Sequence, residues 1–247
     1  MRSEIMAAKK KKKLKLRVDR VIIAAVACLF ILFGLYKGIS FAVSHVMSLF
    51  ETEAITPQKN DKPKNYKATV IVDPGHGGYD VGANIGELYE KDISLTTAKA
   101  VAKELDKADI KAILTRNKDE ALHDNKITDL KLRCDMSKEN QAKYFVSIHV
   151  NDYDKTTNIS GFEIYTKNKA SEALATSIGN HIEKLNYSKN RGMQDGNSLA
   201  VLRDNSVSSV LIELGYIRGK DFDYLNDNQK LEKIGQAIAQ GIIENIN

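Results

Sequence analysis

Tyr144-Phe145-Val146-Ser147-Ile148-His149-Val150-Asn151 reads as a strand buried in a sheet: aromatic and β-branched residues fill a short apolar run, and a histidine stands at its end. Thr69-Val70-Ile71-Val72-Asp73-Pro74-Gly75-His76-Gly77-Gly78 repeats the arrangement, with the histidine in a glycine-rich turn directly after the strand. Around these two stretches, strand-like and helical patterns alternate. Strands are expected at Thr69–Asp73, Ile110–Thr115, Tyr144–His149, Gly161–Thr166, Leu199–Arg203 and Ser209–Leu214. Between them Ile93, Leu95, Ala98, Val101, Ala102 and Leu105 recur at helical spacing. So do Leu174, Ile178, His181, Ile182 and Leu185, and, less cleanly, Leu130, Leu132, Cys134 and Met136. Leu231, Ile234, Ile238, Ile242 and Ile243 mark a last amphipathic helix. This alternation predicts an α/β domain, a mostly parallel twisted sheet flanked by helices. Residues that follow parallel strands meet at one rim of such a sheet, so His76 and His149 are expected near each other.

The domain accounts for residues 68–247. Ahead of it, residues 1–20 hold nine Lys or Arg against Glu4 and Asp19, a basic cytoplasmic segment. Residues 21–43 are apolar but for Lys37. The sixteen residues from Val21 to Tyr36 reach ~24 Å as a helix, short of the ~30 Å of a bilayer core, and extension to Val43 would span it. Residues 21–43 therefore read as a transmembrane anchor, with a cleaved signal sequence ending near Ala42-Val43-Ser44 as the alternative. Either one sends the remainder across the cytoplasmic membrane. Residues 44–67, polar and proline-broken over their later part, read as a linker. The net charge of +5 is carried by the first twenty residues, which leaves about −2 on the rest. That balance lacks the footprint of nucleic-acid binding. Cys28 and Cys134 are too few for a cysteine zinc cluster, so a metal would have to be held by His and carboxylate.

Four side chains carry the candidate chemistry. His149 closes a buried strand, where neutral imidazole suits Zn²⁺, although a structural histidine bonded to backbone fits the same position. His76 sits in its glycine turn; Gly75-His76-Gly77 lacks the spacing of a phosphate loop. Glu90 precedes a helix starting near Asp92, as a third ligand or merely as a charge complementing the helix dipole. Glu213 lies inside Val210-Leu211-Ile212-Glu213-Leu214, where a carboxylate is costly unless paired or put to catalytic use; an exposed position on an alternating strand is its plainer reading. Together His76, Glu90 and His149 form a His₂Glu set that leaves a fourth position for water. His45, His123 and His181 have no such company.

Asp73 to Gly78 with Asp80, Glu90-Lys91-Asp92, Thr115-Arg116 with Asp119, Arg133, Phe145 to Asn151, Leu199 to Arg203, and Val210 to Tyr216 resemble, in that order, the zinc-dependent N-acetylmuramoyl-L-alanine amidases. The resemblance covers the whole of residues 68–247, and the short, membrane-anchored form is similar to the spore-cortex amidases involved in germination. It implies one Zn²⁺ held by His76, Glu90 and His149, with Glu213 as the catalytic carboxylate. The implied substrate is the amide between N-acetylmuramic acid and L-alanine in peptidoglycan. Asn151 and Arg203 are candidates for contacting that substrate, Arg203 with a sheet-edge salt bridge as its alternative. Val81, Ser137-Lys138, Ser208 and Arg218-Gly219 depart from the family pattern without removing a ligand. A non-catalytic wall-binding protein, or a zinc hydrolase of another extracellular amide, are the competing readings. The need for a regulatory protein partner is not legible.

Overall fold

Four parallel strands and an inverted pair make the central sheet of the computed structural model, which describes residues 64–246. The strands are β1 (Ala68–Pro74), β4 (Ile110–Leu114), β5 (Tyr144–Asn151), β6 (Phe162–Thr166), β7 (Asn190–Asp195) and β8 (Ser208–Tyr216), in the spatial order β4-β1-β5-β8-β6-β7. β4, β1, β5 and β8 run parallel; β6 pairs antiparallel to β8, and β7 follows β6. A small hairpin, β2 (Asn84–Ile85) with β3 (Leu88–Tyr89), precedes the first helix. The basic segment 1–20, the apolar segment 21–43 and all but the last residues of the linker 44–67 lie outside the described residues. No helix among those described is long and apolar enough to cross a membrane.

Strand periodicity splits the sheet into two unlike faces. Val70 and Val72, Val146, Ile148 and Val150, Val210, Ile212 and Leu214, and Phe162 and Ile164 point to one face. There they pack on α1 (Glu90–Lys107), α3 (Glu172–Glu183) and α5 (Asn228–Ile246), whose own stripes supply Ile93, Val101 and Leu105, Leu174 and Ile178, and Ile234, Ile238 and Ile242. Each fully buried Val, Leu or Ile contributes roughly 1.5–3 kcal/mol, so this layer supplies most of the folding drive. The opposite face is covered only in part. Ile71, Phe145 and Leu211 pack there with Cys134 of α2 (Lys126–Glu139) and with Val201 and Leu202 of α4 (Ala200–Arg203). Towards the carboxyl ends of the parallel strands this face turns polar: Asp73, Ser147, His149 and Glu213 occupy the same phase as Ile71, Phe145 and Leu211.

The strand expected at Leu199–Arg203 is instead the single helical turn α4, with Leu199 as its N-cap. Val201 and Leu202 are buried, but against side chains of the second face and not in a hydrogen-bonded ladder. A short apolar run fits either element, and here the helix covers part of a sheet face that α2 leaves open. β7 carries little apolar signal because it is an edge strand paired on one side only. α2 buries Asp129, Arg133 and Ser137 along with Cys134, while Leu132 stays exposed, so its inner stripe is polar. The last linker residues belong to the domain: Lys64 pairs with Asp106 and Asp109, and the Tyr66 hydroxyl donates to Asp106 at 2.9 Å.

Candidate active site

Two buried arginines hang the His76 loop on the sheet. Arg133 donates to Asp73 Oδ1 (2.8 Å), to the Pro74 carbonyl (2.9 Å) and to the His76 carbonyl (2.8 Å), while its Nε binds Asp129 (2.6 Å). Arg116 donates to the carbonyls of Pro74 (3.0 Å), Gly75 (2.8 Å) and Lys91 (2.8 Å). Asp73, 1% exposed, also accepts from Thr115 (2.7 Å) and Ser147 (2.6 Å). Burial opposes its charge, but Arg133 and the two hydroxyls outweigh that and hold its carboxyl below the ordinary value. Clamped this way, His76 adopts φ +61°, a left-handed conformation costing a non-glycine residue roughly 1–2 kcal/mol. Such strain persists where surrounding structure over-determines it, as here.

The loop delivers His76 to Glu90 and His149. His76 Nε2 is 3.1 Å and His149 Nδ1 2.9 Å from Glu90 Oε1, and the two imidazoles meet edge to face with centroids 4.9 Å apart. One nitrogen from each ring and one carboxylate oxygen lie within 4.8 Å of one another. Glu90 is the first residue of α1 and 4% exposed; backbone N–H groups of Val150 (2.9 Å) and Ala83 (2.8 Å) fix its two oxygens. Burial opposes its ionisation, yet His149 and His76 hold its carboxyl far below the usual range. His76 is pushed the other way: burial disfavours its charge, but Glu90 and Asp80 raise its pKa. Its Nδ1 stands 3.0 Å from Asp80 Oδ1 without the alignment of a hydrogen bond. Asp80 is in turn paired with Lys126 at 3.0 Å. Two glycines make the close approach possible. A Cβ on Gly75 would lie 2.4 Å from the His149 ring, and one on Gly82, at φ +67°, would lie 2.5 Å from Glu90 Oε2.

This donor set fits a divalent metal. Two imidazole nitrogens and a carboxylate oxygen are the ligand types of catalytic zinc sites, and tetrahedral ligands at ~2.0–2.1 Å stand ~3.4 Å apart, near the 3.1 and 2.9 Å that separate Glu90 Oε1 from the nitrogens of His76 and His149. Glu213 sits beside His149 in the β5–β8 register and opposite Glu163 in the β6–β8 register. Its Oε2 is buried without a hydrogen-bond partner although the residue as a whole is only half-buried. Burial, then the neighbouring Glu90 and Glu163, raise its pKa well above the ordinary value.

The structure therefore brings together His76, Glu90, His149 and Glu213, from four separate segments. Asn151 ends β5, with its amide 3.4 Å from Glu163 Oε2. Arg203 is not brought to this cluster. It makes a two-pronged contact with Asp204 (2.8 Å each) at the exposed end of α4 and lines a separate cavity with Ile127 and Cys134. His123 lies in an exposed loop, accepting from Asn125 N, and His181 contacts Glu244. Sequence reasoning overlooked Glu163, which is 6% exposed and accepts from Arg191, Tyr165, Tyr216 and Asn151. The signal was there: like Glu213, it is a carboxylate within an apolar strand.

Comparison with known proteins agrees with this geometry. Residues 70–244 match the N-acetylmuramoyl-L-alanine amidase family. The chain is 33% identical over 178 residues to the probable cell wall amidase LytH of Staphylococcus epidermidis, covering 70% of this chain and 57% of that protein. Its Staphylococcus aureus counterpart gives 33% over 189 residues, 74% and 60%. The chain thus spans under two thirds of the length of these relatives. Among solved structures, the N-acetylmuramoyl-L-alanine amidase AmiC2 of Nostoc punctiforme superposes with a TM-score of 0.67 at 36% identity, covering 72% of this chain and 97% of that one. The CwlD amidase of Clostridioides difficile, solved in complex with the GerS lipoprotein, gives 0.67 at 28% identity, covering 73% and 100%. With a matching sequence over most of its length, a shared fold and a His-Glu-His cluster at the sheet rim, this chain belongs to the N-acetylmuramoyl-L-alanine amidase family.

Proposed function

We propose that this chain hydrolyses the amide joining the lactyl group of N-acetylmuramic acid to L-alanine in peptidoglycan. His76, Glu90 and His149 hold one Zn²⁺, and Glu213 handles the proton. The observation that carries this reading is the convergence of three metal-type donors within 4.8 Å on a sheet face that also presents the unpaired Glu213 carboxyl. Zn²⁺ held by these donors would supply Lewis acidity, polarising a carbonyl and lowering the pKa of a water toward ~7. The chain's own residues do the rest. Glu213 Oε2 accepts a proton from the attacking water and returns it to the departing alanine nitrogen. Glu90, fixed by Val150 and Ala83, keeps both imidazoles aimed inward, and Asp80 backs His76 from behind.

The sequence of residues 1–43 supports a further part of the reading, in which the domain works outside the cytoplasmic membrane, tethered to it. Fractionation of cells followed by protease protection tests that placement. By analogy with the CwlD complex with GerS, an accessory protein accompanies this domain, which co-purification checks. The test of the activity is digestion of purified peptidoglycan and mass spectrometry of the products. New L-alanine amino termini, one zinc per chain and loss of cleavage with chelator are expected. Intact peptidoglycan after incubation with zinc-loaded protein would overturn the assignment.

A further inference from the structure

Beside Glu213 the sheet carries a second polar assembly, built on Glu163. Glu163 on β6 is buried, and its Oε1 accepts from the Nε of Arg191 on β7 and from the Tyr216 hydroxyl at 3.2 Å. Its Oε2 accepts from the Tyr165 hydroxyl at 3.0 Å. The Arg191 guanidinium lies over the Tyr216 ring, 5.5 Å from its centroid. Arg191 is thus held through Nε and through its flat face. Its terminal nitrogens make no hydrogen bond among the described residues, and its side chain is 37% exposed. A guanidinium fixed on one edge and open on the other is a fork shaped for a carboxylate.

The order of groups across the sheet says which carboxylate. His149 on β5, Glu213 on β8, Glu163 on β6 and Arg191 on β7 stand in successive strands. On the amidase reading, which this inference rests on, the lactyl carbonyl lies over the metal donors and the alanine nitrogen over Glu213. The stem peptide must then continue across β6 toward β7. The glycan side of the scissile bond is uncharged, whereas the peptide side bears carboxylates. Two extended residues reach ~7 Å, and adjacent strands are ~4.8 Å apart, so the residue after L-alanine comes within range of a fork that leans back over β6. We infer that Arg191, oriented by Glu163 and Tyr216, binds the carboxylate of the stem-peptide residue after L-alanine, so that a free carboxylate there is preferred over its amide.

The test measures binding and not turnover, using the full chain with Glu213→Gln to prevent hydrolysis. The probes are fluorescently labelled N-acetylmuramoyl-L-alanyl-D-glutamate and its isoglutamine counterpart. The glutamate probe is expected to bind about tenfold tighter, and Arg191→Gln should erase that ratio while Arg191→Lys keeps part of it. Arg191→Gln leaves Glu163 without its cation, so Glu163→Gln/Arg191→Gln, which removes both charges, guards against misfolding and should also erase the ratio. Equal binding of the two probes, or a ratio that survives in either Gln variant, overturns the inference. Retained discrimination, alongside a failure of the parental zinc-loaded protein to cleave peptidoglycan, would count against the amidase reading alone.

Discussion

Replacing Asp73 by asparagine tests whether the site is held up by the polar network behind it. Ser147 can reverse its hydroxyl and accept from the new amide, so the 2.6 Å contact to Oδ2 survives in altered form. What disappears is the charge on Oδ1, where Arg133 (2.8 Å) and Thr115 (2.7 Å) both donate. Charge-assisted bonds are about twice as strong as neutral ones and contribute roughly 1.5–3 kcal/mol each, so losing that assistance twice costs about 2–3 kcal/mol. Breaking a buried pair outright costs ~3–5 kcal/mol, but Asp129 remains on the Arg133 Nε and lowers the figure. For a domain of this size the loss corresponds to a Tm lower by roughly 5–10 °C. Urea unfolding followed by circular dichroism measures it directly. The pH dependence follows from the sign of the shift. The folded carboxyl titrates below its ordinary value near 3.8, so its stabilisation is full above that pH and fades as acid protonates it. The gap between parent and variant should be widest above pH ~4 and close below it. A loss under ~0.5 kcal/mol, or a gap that widens on acidification, would refute the account.

Glu213→Gln should retain the bound metal, measured by elemental analysis, while turnover of muropeptides falls ~10²–10⁴-fold; a variant working at the parental rate removes Glu213 from the proton path. Gly75→Ala drives a methyl into the His149 ring. Metal affinity, read by competition with a chromophoric chelator, should fall tenfold or more, and an unchanged affinity would mean the ring has room to move. Arg203→Ala should leave peptidoglycan hydrolysis within about twofold, since its partner is Asp204 and not the cluster; a large drop in kcat/KM would place it in the substrate path after all.

The parallel core was legible because burial on both faces demands uninterrupted apolar runs, as in Val70–Val72, Phe145–Val146 and Val210–Ile212. His76, His149 and Glu213 stood out for a related reason: each interrupts or ends such a run. Glu90 was harder to weigh, because a first-turn carboxylate has an ordinary explanation in the helix dipole, and only the fold shows it turned inward against Val150 N. Leu199–Arg203 misled because two buried residues in five do not define a period. Arg191 left no trace at all. It stands in a polar edge strand, and its significance depends on Glu163, twenty-eight positions earlier, arriving beside it.

The inversion of β6 and β7 has an architectural consequence. In an all-parallel sheet the working rim receives only strand ends, each followed by its own loop. Here the same rim also receives strand beginnings, so Glu163 and Arg191 are set by the connections that lead into β6 and β7, while His149 and Glu213 belong to the parallel block. Insertions or deletions before residue 162 or residue 190 could slide one half of the cleft past the other without disturbing the hydrolytic half. A fold divided like this lets the Glu163–Arg191 half of the rim vary in position while the His76, Glu90 and His149 cluster stays as it was.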